Sequence, residues 1–377
     1  MIFRKLEKLG VQTSLLGFGC MRLPMNADQT INEAETAKMF DQAYQAGVNY
    51  YDTAYGYHDG KSEAVTGKML KRYPRDSFFI ATKLPTYMIQ SLDQAKAIFE
   101  EQRQRLQMER IDFYLLHTLN SASYDRMVKL GVVDFCRQLK AEGKIRFLGF
   151  SFHDEYPVFE RIINDGEWDF CQIQYNYRDQ RLQAGTRGYE LAAKKGVPVV
   201  VMEPLKGGAL ATLSPDISEP FRKVTPGASD ASFALRWLAD HSNVKVILSG
   251  MSTPEQMADN LKTFEKDAPL SQAERDAITE VAHRLDSRVK IGCTGCRYCM
   301  PCPHGVNIPG NFDIWNQYGM YGGIPNLKGT WQHFFAEDTK ASHCVQCREC
   351  EAKCPQHLPI VESLQKLQAE LDTALGR

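Results

Sequence analysis

Two runs of cysteine near the C-terminus constrain this chain more than any other feature. The first reads Cys293-x2-Cys296-x2-Cys299-x2-Cys302-Pro303, and the second reads Cys344-x2-Cys347-x2-Cys350-x3-Cys354-Pro355. Eight of the eleven cysteines lie in these two blocks. Thiolate sulfur is a soft ligand, and a four-fold thiolate set selects zinc or iron–sulfur clusters. Zinc sites use separated C-x2-C pairs. They have no reason to add a third cysteine at the same interval, or a proline after the fourth, twice over.

The triple C-x2-C-x2-C followed by Cys-Pro resembles the spacing of bacterial ferredoxins, in which the fourth cysteine of each run ligates the other cluster. The stretch is similar to the two-cluster modules of many redox enzymes. It implies two 4Fe–4S clusters, one on Cys293, Cys296, Cys299 and Cys354, and one on Cys344, Cys347, Cys350 and Cys302. Zinc and a disulfide framework are the alternatives. The first block departs from the pattern, with two residues before its last cysteine instead of three. The aromatic stretch between the blocks, with Trp315, Tyr318, Tyr321 and Trp331, reads as packing around the clusters and against the rest of the chain.

The 377 residues suggest at least two domains. An apolar share of 43% and a charged share of 24% allow an ordinary globular core. A net charge of −1 offers no basic excess, so neither nucleic acid nor an anionic membrane is expected as a partner. The N-terminus MIFRKLEKLGVQTSLLGFG has no signal-peptide core, and no run of about 18 apolar residues occurs. Thiol-rich sites without an export signal point to the cytoplasm. Cys20, Cys136 and Cys171 read as small buried hydrophobes.

Between residues 13 and 250 lie eight short apolar runs, at 13–19, 49–54, 78–83, 112–117, 146–151, 170–176, 198–204 and 244–250. They are continuous rather than alternating in hydrophobicity, as in parallel strands buried on both faces. Helical-period segments separate them, among them 31–47, 91–106 and 229–241. Eight strand–helix units predict a (β/α)8 TIM barrel. A doubly wound open sheet is the runner-up, but GFGC at 17–20 is not a G-x-G-x-x-G turn. The segment FRKLEKLGVQ before the first run reads as a hairpin closing the barrel floor. Helices are expected at 253–264, 271–285 and 359–375. The expected architecture is a barrel over 1–288 and a small, mostly helical ferredoxin-like iron–sulfur domain over 289–377.

Active sites of such barrels are built at the C-terminal ends of strands. There the second run ends in Asp52, with Tyr55 and Tyr57 just beyond. The third ends in Lys83, the fourth in His117 and the fifth in Ser151, and the sixth contains Gln172 and Asn176. Alone, Asp52 and Lys83 would read as a structural ion pair, and His117 as a hydrogen-bonded core histidine. Together they have a chemical logic. Carbonyl reduction needs a proton for the developing alkoxide, and a phenol near an ammonium is a better donor than a free one. Asp52 would hold Lys83, and His117 would donate to the carbonyl oxygen.

Residues 1–285 resemble the aldo/keto reductase family. The residues that carry the likeness are DTAYGYHDGKSE (52–63), ATK (81–83), LLH (115–117), GFS (149–151), QIQYN (172–176), PLKGG (204–208) and GMSTPEQMADN (250–260). The resemblance implies an oxidoreductase that interconverts carbonyl and alcohol with NAD(P)H. Its tetrad falls on Asp52, Tyr57, Lys83 and His117, with Tyr57 rather than Tyr55 as the acid. Ser151 and Gln172 match positions that hold the nicotinamide carboxamide. Ser252, Gln256 and Asn260 match positions at the adenosine end. Phe152 stands where the family has asparagine, Met202 where it stacks an aromatic, and Gln256 where many members have an arginine for the 2′-phosphate. The resemblance implies NADP first and NAD second as cofactors, with flavin open, and these departures weaken that assignment. The implied partners are a small carbonyl or alcohol substrate and an electron-transfer protein. The alternative is an electron-transfer or redox-sensing iron–sulfur protein whose barrel no longer uses nicotinamide.

Overall fold

The computed structural model describes residues 1–322, 329, 331 and 335–376. The chain divides into two compact units. One comprises Met1–Ala211 and Ala228–Arg275, the other Thr212–Gly227 and Asp276–Arg377.

The first unit opens with an antiparallel hairpin of β1 (Phe3–Leu6) and β2 (Val11–Ser14). Eight strands follow: β3 (Leu16–Gly19), β4 (Tyr50–Asp52), β5 (Phe79–Leu84), β6 (Ile111–Leu119), β7 (Ile145–Phe152), β8 (Phe170–Gln174), β9 (Val199–Met202) and β10 (Val244–Ser249). Each pairs in parallel with the next, and β10 returns to β3, closing the barrel. All eight apolar runs of the sequence are strands, and the hairpin lies where it was expected.

Side chains alternate along each strand. Tyr50, Ala81, Phe113, Leu115, Phe147, Phe170, Val200 and Val246 form one apolar cluster. Their neighbours Tyr51, Ile80, Tyr114, Leu116, Leu148, Cys171 and Val201 belong to the other, beneath the helices. Phe113 is the hub of the first cluster, its ring 5.0 Å from Tyr50, 4.9 Å from Phe147 and 5.0 Å from Phe170. Continuing that alternation to the strand ends gives Asp52, Lys83, His117, Ser151, Gln172 and Met202. The barrel interior thus changes from hydrocarbon to polar groups within one residue pair on five strands, and the sixth ends in the Met202 thioether.

The expected helices are present as Glu33–Gln45, Leu92–Leu106, Asp230–Ala239, Pro254–Thr263, Gln272–Asp286 and Ile360–Leu375. Side-chain caps start several of them: Asn32, Ser91, Ser229 and Thr253 each accept a backbone N–H three residues on. Helix Ser62–Leu70 packs so closely on the end of Leu92–Leu106 that a Cβ at Gly67 would lie 2.3 Å from the Leu106 carbonyl oxygen. Gly67→Ala should therefore destabilise the barrel by about 1–3 kcal/mol, seen as a lowered Tm in thermal denaturation. An unchanged Tm would show that the two helices separate freely.

In the second unit, helices Ile308–Tyr321 and Ile360–Leu375 share a core with Ile291, Val306, Trp331, Ala341 and Cys354. Trp315 is buried there and donates its indole N–H to Glu370 at 2.9 Å. Of the aromatics expected to pack around the clusters, Trp331 also lies in this core and Tyr318 packs against it beside cysteines of both blocks. Helix Pro215–Val224, whose Glu219 pairs with Arg284 at 3.0 Å, belongs to this unit as well. Among the described residues no helix is long and apolar enough to cross a membrane.

Candidate active site and cysteine cages

At the C-terminal mouth of the barrel, the Lys83 ammonium is fully buried. It donates to Asp52 Oδ1 at 2.6 Å, to the Thr53 carbonyl at 2.7 Å and to the Tyr57 hydroxyl at 3.5 Å. Burial alone would lower the lysine, but the Asp52 carboxylate and the Tyr57 phenol outweigh it and hold it above its usual value. Burial raises Asp52, and Lys83 opposes that shift. Burial also raises the Tyr57 phenol, and Lys83 pulls against it. The sequence argument anticipated the pull of the ammonium; desolvation proves the larger influence, so Tyr57 is held protonated through the neutral range. The His117 ring lies 6.0 Å from that of Tyr57 at 79°. Burial, reinforced by Lys83, pushes its imidazole down to about 3, so it is neutral. A neutral ring carries one N–H donor, and its buried Nδ1 has no partner. Tyr55 is drawn away to the barrel exterior, where its hydroxyl donates to Glu101 at 2.8 Å.

Ser151 and Gln172 are register partners on β7 and β8. Ser151 Oγ accepts the Thr118 N–H at 2.8 Å. Gln172 Nε2 lies 3.5 Å from the Met202 sulfur, while its buried Oε1 has no partner. Phe152 is buried and packs edge-on to Phe159. Ser252 and Gln256 sit at the start of helix Pro254–Thr263, where Gln256 Oε1 accepts the Ser252 N–H at 2.8 Å. Asn260 is buried and donates to Ser249 Oγ at 2.9 Å. The geometry thus groups the tetrad with Ser151, Gln172 and Met202. Ser252 and Gln256 form a second group at the end of β10, and Asn260 turns into the fold.

The cysteine blocks of the second unit surround two hollows. One is lined by Cys293, Cys296, Cys299 and Cys354. The other is lined by Cys302, Cys344, Cys347 and Cys350, with Cys299 at their common edge. Each hollow draws on both blocks, the first on the four cysteines grouped in the sequence reading and the second on the other four together with Cys299. None of the eleven cysteines forms a disulfide. Among the described residues no three His, Cys, Asp or Glu side chains converge tightly enough to hold a single metal ion.

The backbone repeats between the blocks. Gly295 and Arg297 flank Cys296 with φ of +70° and +63°, and Gln346 and Arg348 flank Cys347 with +60° and +64°. Gly305 and His357, each three residues after the fourth cysteine, are left-handed too, and each donates its N–H back to that cysteine's carbonyl at 3.0 Å. Left-handed residues are the element from which backbone N–H concavities for anions, including iron–sulfur clusters, are made. Three of these positions carry arginine or glutamine, at a cost of about 1–2 kcal/mol each.

The class these observations point to is an oxidoreductase: a closed parallel barrel with buried ionisable side chains at its mouth, in a chain that also carries a cysteine-rich unit. The aldo/keto reductase family profile matches residues 15–283, and a 4Fe-4S dicluster domain profile matches residues 292–358. The chain belongs to the aldo/keto reductase family. It is 25% identical over 295 residues to the NADH-specific methylglyoxal reductase of Escherichia coli, spanning 65% of this chain and 86% of that one. It is 25% identical over 303 residues to L-galactose dehydrogenase of Arabidopsis thaliana, spanning 75% and 94%. An aldo-keto reductase from Bacillus halodurans in its holo form superposes with a TM-score of 0.62 at 27% identity, covering 74% of this chain and 96% of the other.

Proposed function

We propose that the barrel interconverts a small carbonyl compound and its alcohol, with Tyr57 as the general acid. The carrying observation is the Lys83 ammonium held between Asp52 and the Tyr57 hydroxyl, with the His117 ring alongside. A bound nicotinamide would supply a hydride, and bound 4Fe–4S clusters would carry electrons singly. Tyr57 holds the proton delivered to the substrate oxygen. His117, neutral, donates a second hydrogen bond to that oxygen. Lys83 limits how far burial raises the phenol, and Asp52 fixes Lys83.

The donor set fits a nicotinamide. Gln172 Oε1 is a buried acceptor without a partner, suited to a carboxamide N–H, with Ser151 beside it and Met202 to cover the ring. Ser252, Gln256 and Asn260 are assigned to the adenosine end, with NADPH the first cofactor to try and NADH the second. The eight cysteines are assigned to two clusters in the cross-block sets, each cage combining four sulfurs with left-handed backbone. The reading gives residues 1–288 to carbonyl chemistry and 289–377 to the clusters, which would serve an electron-transfer protein in a reducing cytoplasm. The name of the Escherichia coli relative supports a small aldehyde and a nicotinamide.

A second reading, an electron-transfer or redox-sensing protein whose barrel no longer uses nicotinamide, is favoured by Phe152, which is packed inward and offers no amide. Anaerobic purification, iron and sulfide assays, and titration of the same sample with NADPH and NADH separate the two. About eight irons per chain, nicotinamide binding and reduction of methylglyoxal support the first reading. Iron without nicotinamide binding favours the second, and a colourless, zinc-loaded protein contradicts the clusters.

Lys83→Met should move the alkaline limb of carbonyl reduction upward by roughly one pH unit or more, because the phenol loses its cationic neighbour. The sign follows from the acid role: reduction requires protonated Tyr57, and a higher phenol pKa preserves that form to higher pH. An unmoved limb would remove Lys83 from the proton-transfer step.

A further inference from the structure

Behind the barrel wall, a buried carboxylate ties the catalytic strand to an outer helix. Glu63 is fully buried near the start of helix Ser62–Leu70. Its Oε1 accepts from Thr82 Oγ1 at 2.6 Å and from Gln102 Nε2 at 2.7 Å. Thr82 adjoins Lys83 on β5. Gln102, also fully buried, donates to the Lys83 carbonyl at 3.0 Å and accepts from the Tyr114 hydroxyl at 2.7 Å. One glutamine thus fastens the main chain of Lys83 to Glu63 and to strand β6.

Three residues after Gln102 on helix Leu92–Leu106, Arg105 reaches the other side of the carboxylate. Its Nη1 lies 3.4 Å from Glu63 Oε2 and 3.3 Å from the Tyr55 carbonyl. Its Nη2 donates to Glu101 at 2.6 Å, and its guanidinium stacks 4.2 Å over the Tyr55 ring. Tyr55 opens the turn that carries Tyr57. Residues three apart on a helix share a face, so one face of Leu92–Leu106 grips both the lysine strand and the tyrosine turn.

We infer that Glu63, Gln102 and Arg105 form a positioning assembly that sets the Lys83–Tyr57 separation. None of the three touches the reacting groups. Glu63 is costly to bury, and burial raises its carboxyl despite Thr82, Gln102 and Arg105. A plain packing role at this place needs no charge. The inference rests on the proton-donor reading of Tyr57 and adds what holds the donor at 3.5 Å from its ammonium.

Gln102→Leu removes the fastening on the Lys83 carbonyl at nearly constant volume, and Arg105→Met frees the Tyr55–Tyr57 turn from a partly exposed position. With methylglyoxal and NADPH, each should lower kcat roughly 10- to 100-fold, the scale for a misplaced reacting group. The Kd for NADPH should stay within about two-fold, as for loss of a contact that acts in the transition state. The alkaline limb should move upward, because the phenol drifts from its ammonium. Folded variants with an unmoved limb, whatever their kcat or Tm, would overturn the inference. Should Gln102→Leu not fold, Arg105→Met decides. Full activity in Tyr57→Phe would refute the proton-donor reading itself. An inactive Tyr57→Phe with unmoved limbs in the other two refutes the positioning assembly alone.

Discussion

Tyr57→Phe will lower kcat for aldehyde reduction by roughly 10²–10⁴-fold, the usual worth of a positioned general acid. The Kd for NADPH will stay near that of the unsubstituted protein. The expectation follows from what the substitution removes. Only the hydroxyl leaves, so the ring remains edge-on to His117 and the turn at 54–57 keeps its backbone hydrogen bond. Lys83 keeps its contacts with Asp52 and the Thr53 carbonyl. The buried ion pair therefore survives, and no unpaired charge confuses the result with misfolding. What is lost is the proton held at the substrate oxygen. Steady-state kinetics with methylglyoxal, beside a fluorescence titration of NADPH, measures both quantities. An unchanged kcat would take Tyr57 out of the mechanism, and a lost affinity would make it a binding residue instead.

Cys347→Ala will reduce iron from about eight to about four per chain, leaving the helical circular dichroism of the barrel in place. Cys347 lines one hollow and is absent from the lining of the other. A cluster deprived of one thiolate in an exposed cage is open to solvent, whereas the set of Cys293, Cys296, Cys299 and Cys354 is untouched. Cys299 borders both hollows, so Cys299→Ala should be the harsher substitution, disturbing both clusters. Equal loss from the two variants would confine Cys299 to the single set assigned to it and remove its role at the common edge. Loss of all soluble protein from Cys347→Ala would show that barrel and cages fold as one cooperative system.

Much of this architecture was legible in the residues because burial on both faces leaves a strand no freedom of composition. The runs around Phe79, Phe113 and Val200 are apolar whichever way each side chain points. The tetrad was legible for the converse reason. A carboxylate or an ammonium at the end of such a run has no solvent to face, so Asp52 and Lys83 required each other. The cysteine sets were legible from spacing, and the missing residue before Cys302 changes nothing after it: both fourth cysteines are followed by a left-handed turn and a helix.

Other features carried weak signals. Gln102 and Arg105 look like ordinary polar residues of an amphipathic helix, and nothing in their spacing reveals that they meet the Lys83 main chain and Tyr55. The left-handed backbone at Arg297, Gln346 and Arg348 was hidden because these residue types do not favour it. The net rise of the Tyr57 phenol was misjudged because desolvation depends on three-dimensional enclosure, which a motif does not record.

The most direct test of the proposed chemistry is a single turnover with nicotinamide cofactor deuterated at C4 and 4-nitrobenzaldehyde, with mass spectrometry of the alcohol. If the tetrad completes a hydride transfer, deuterium appears on the carbinol carbon. Alcohol free of deuterium would mean that the reducing equivalents arrive by another route, and the barrel mouth would lose its assigned role.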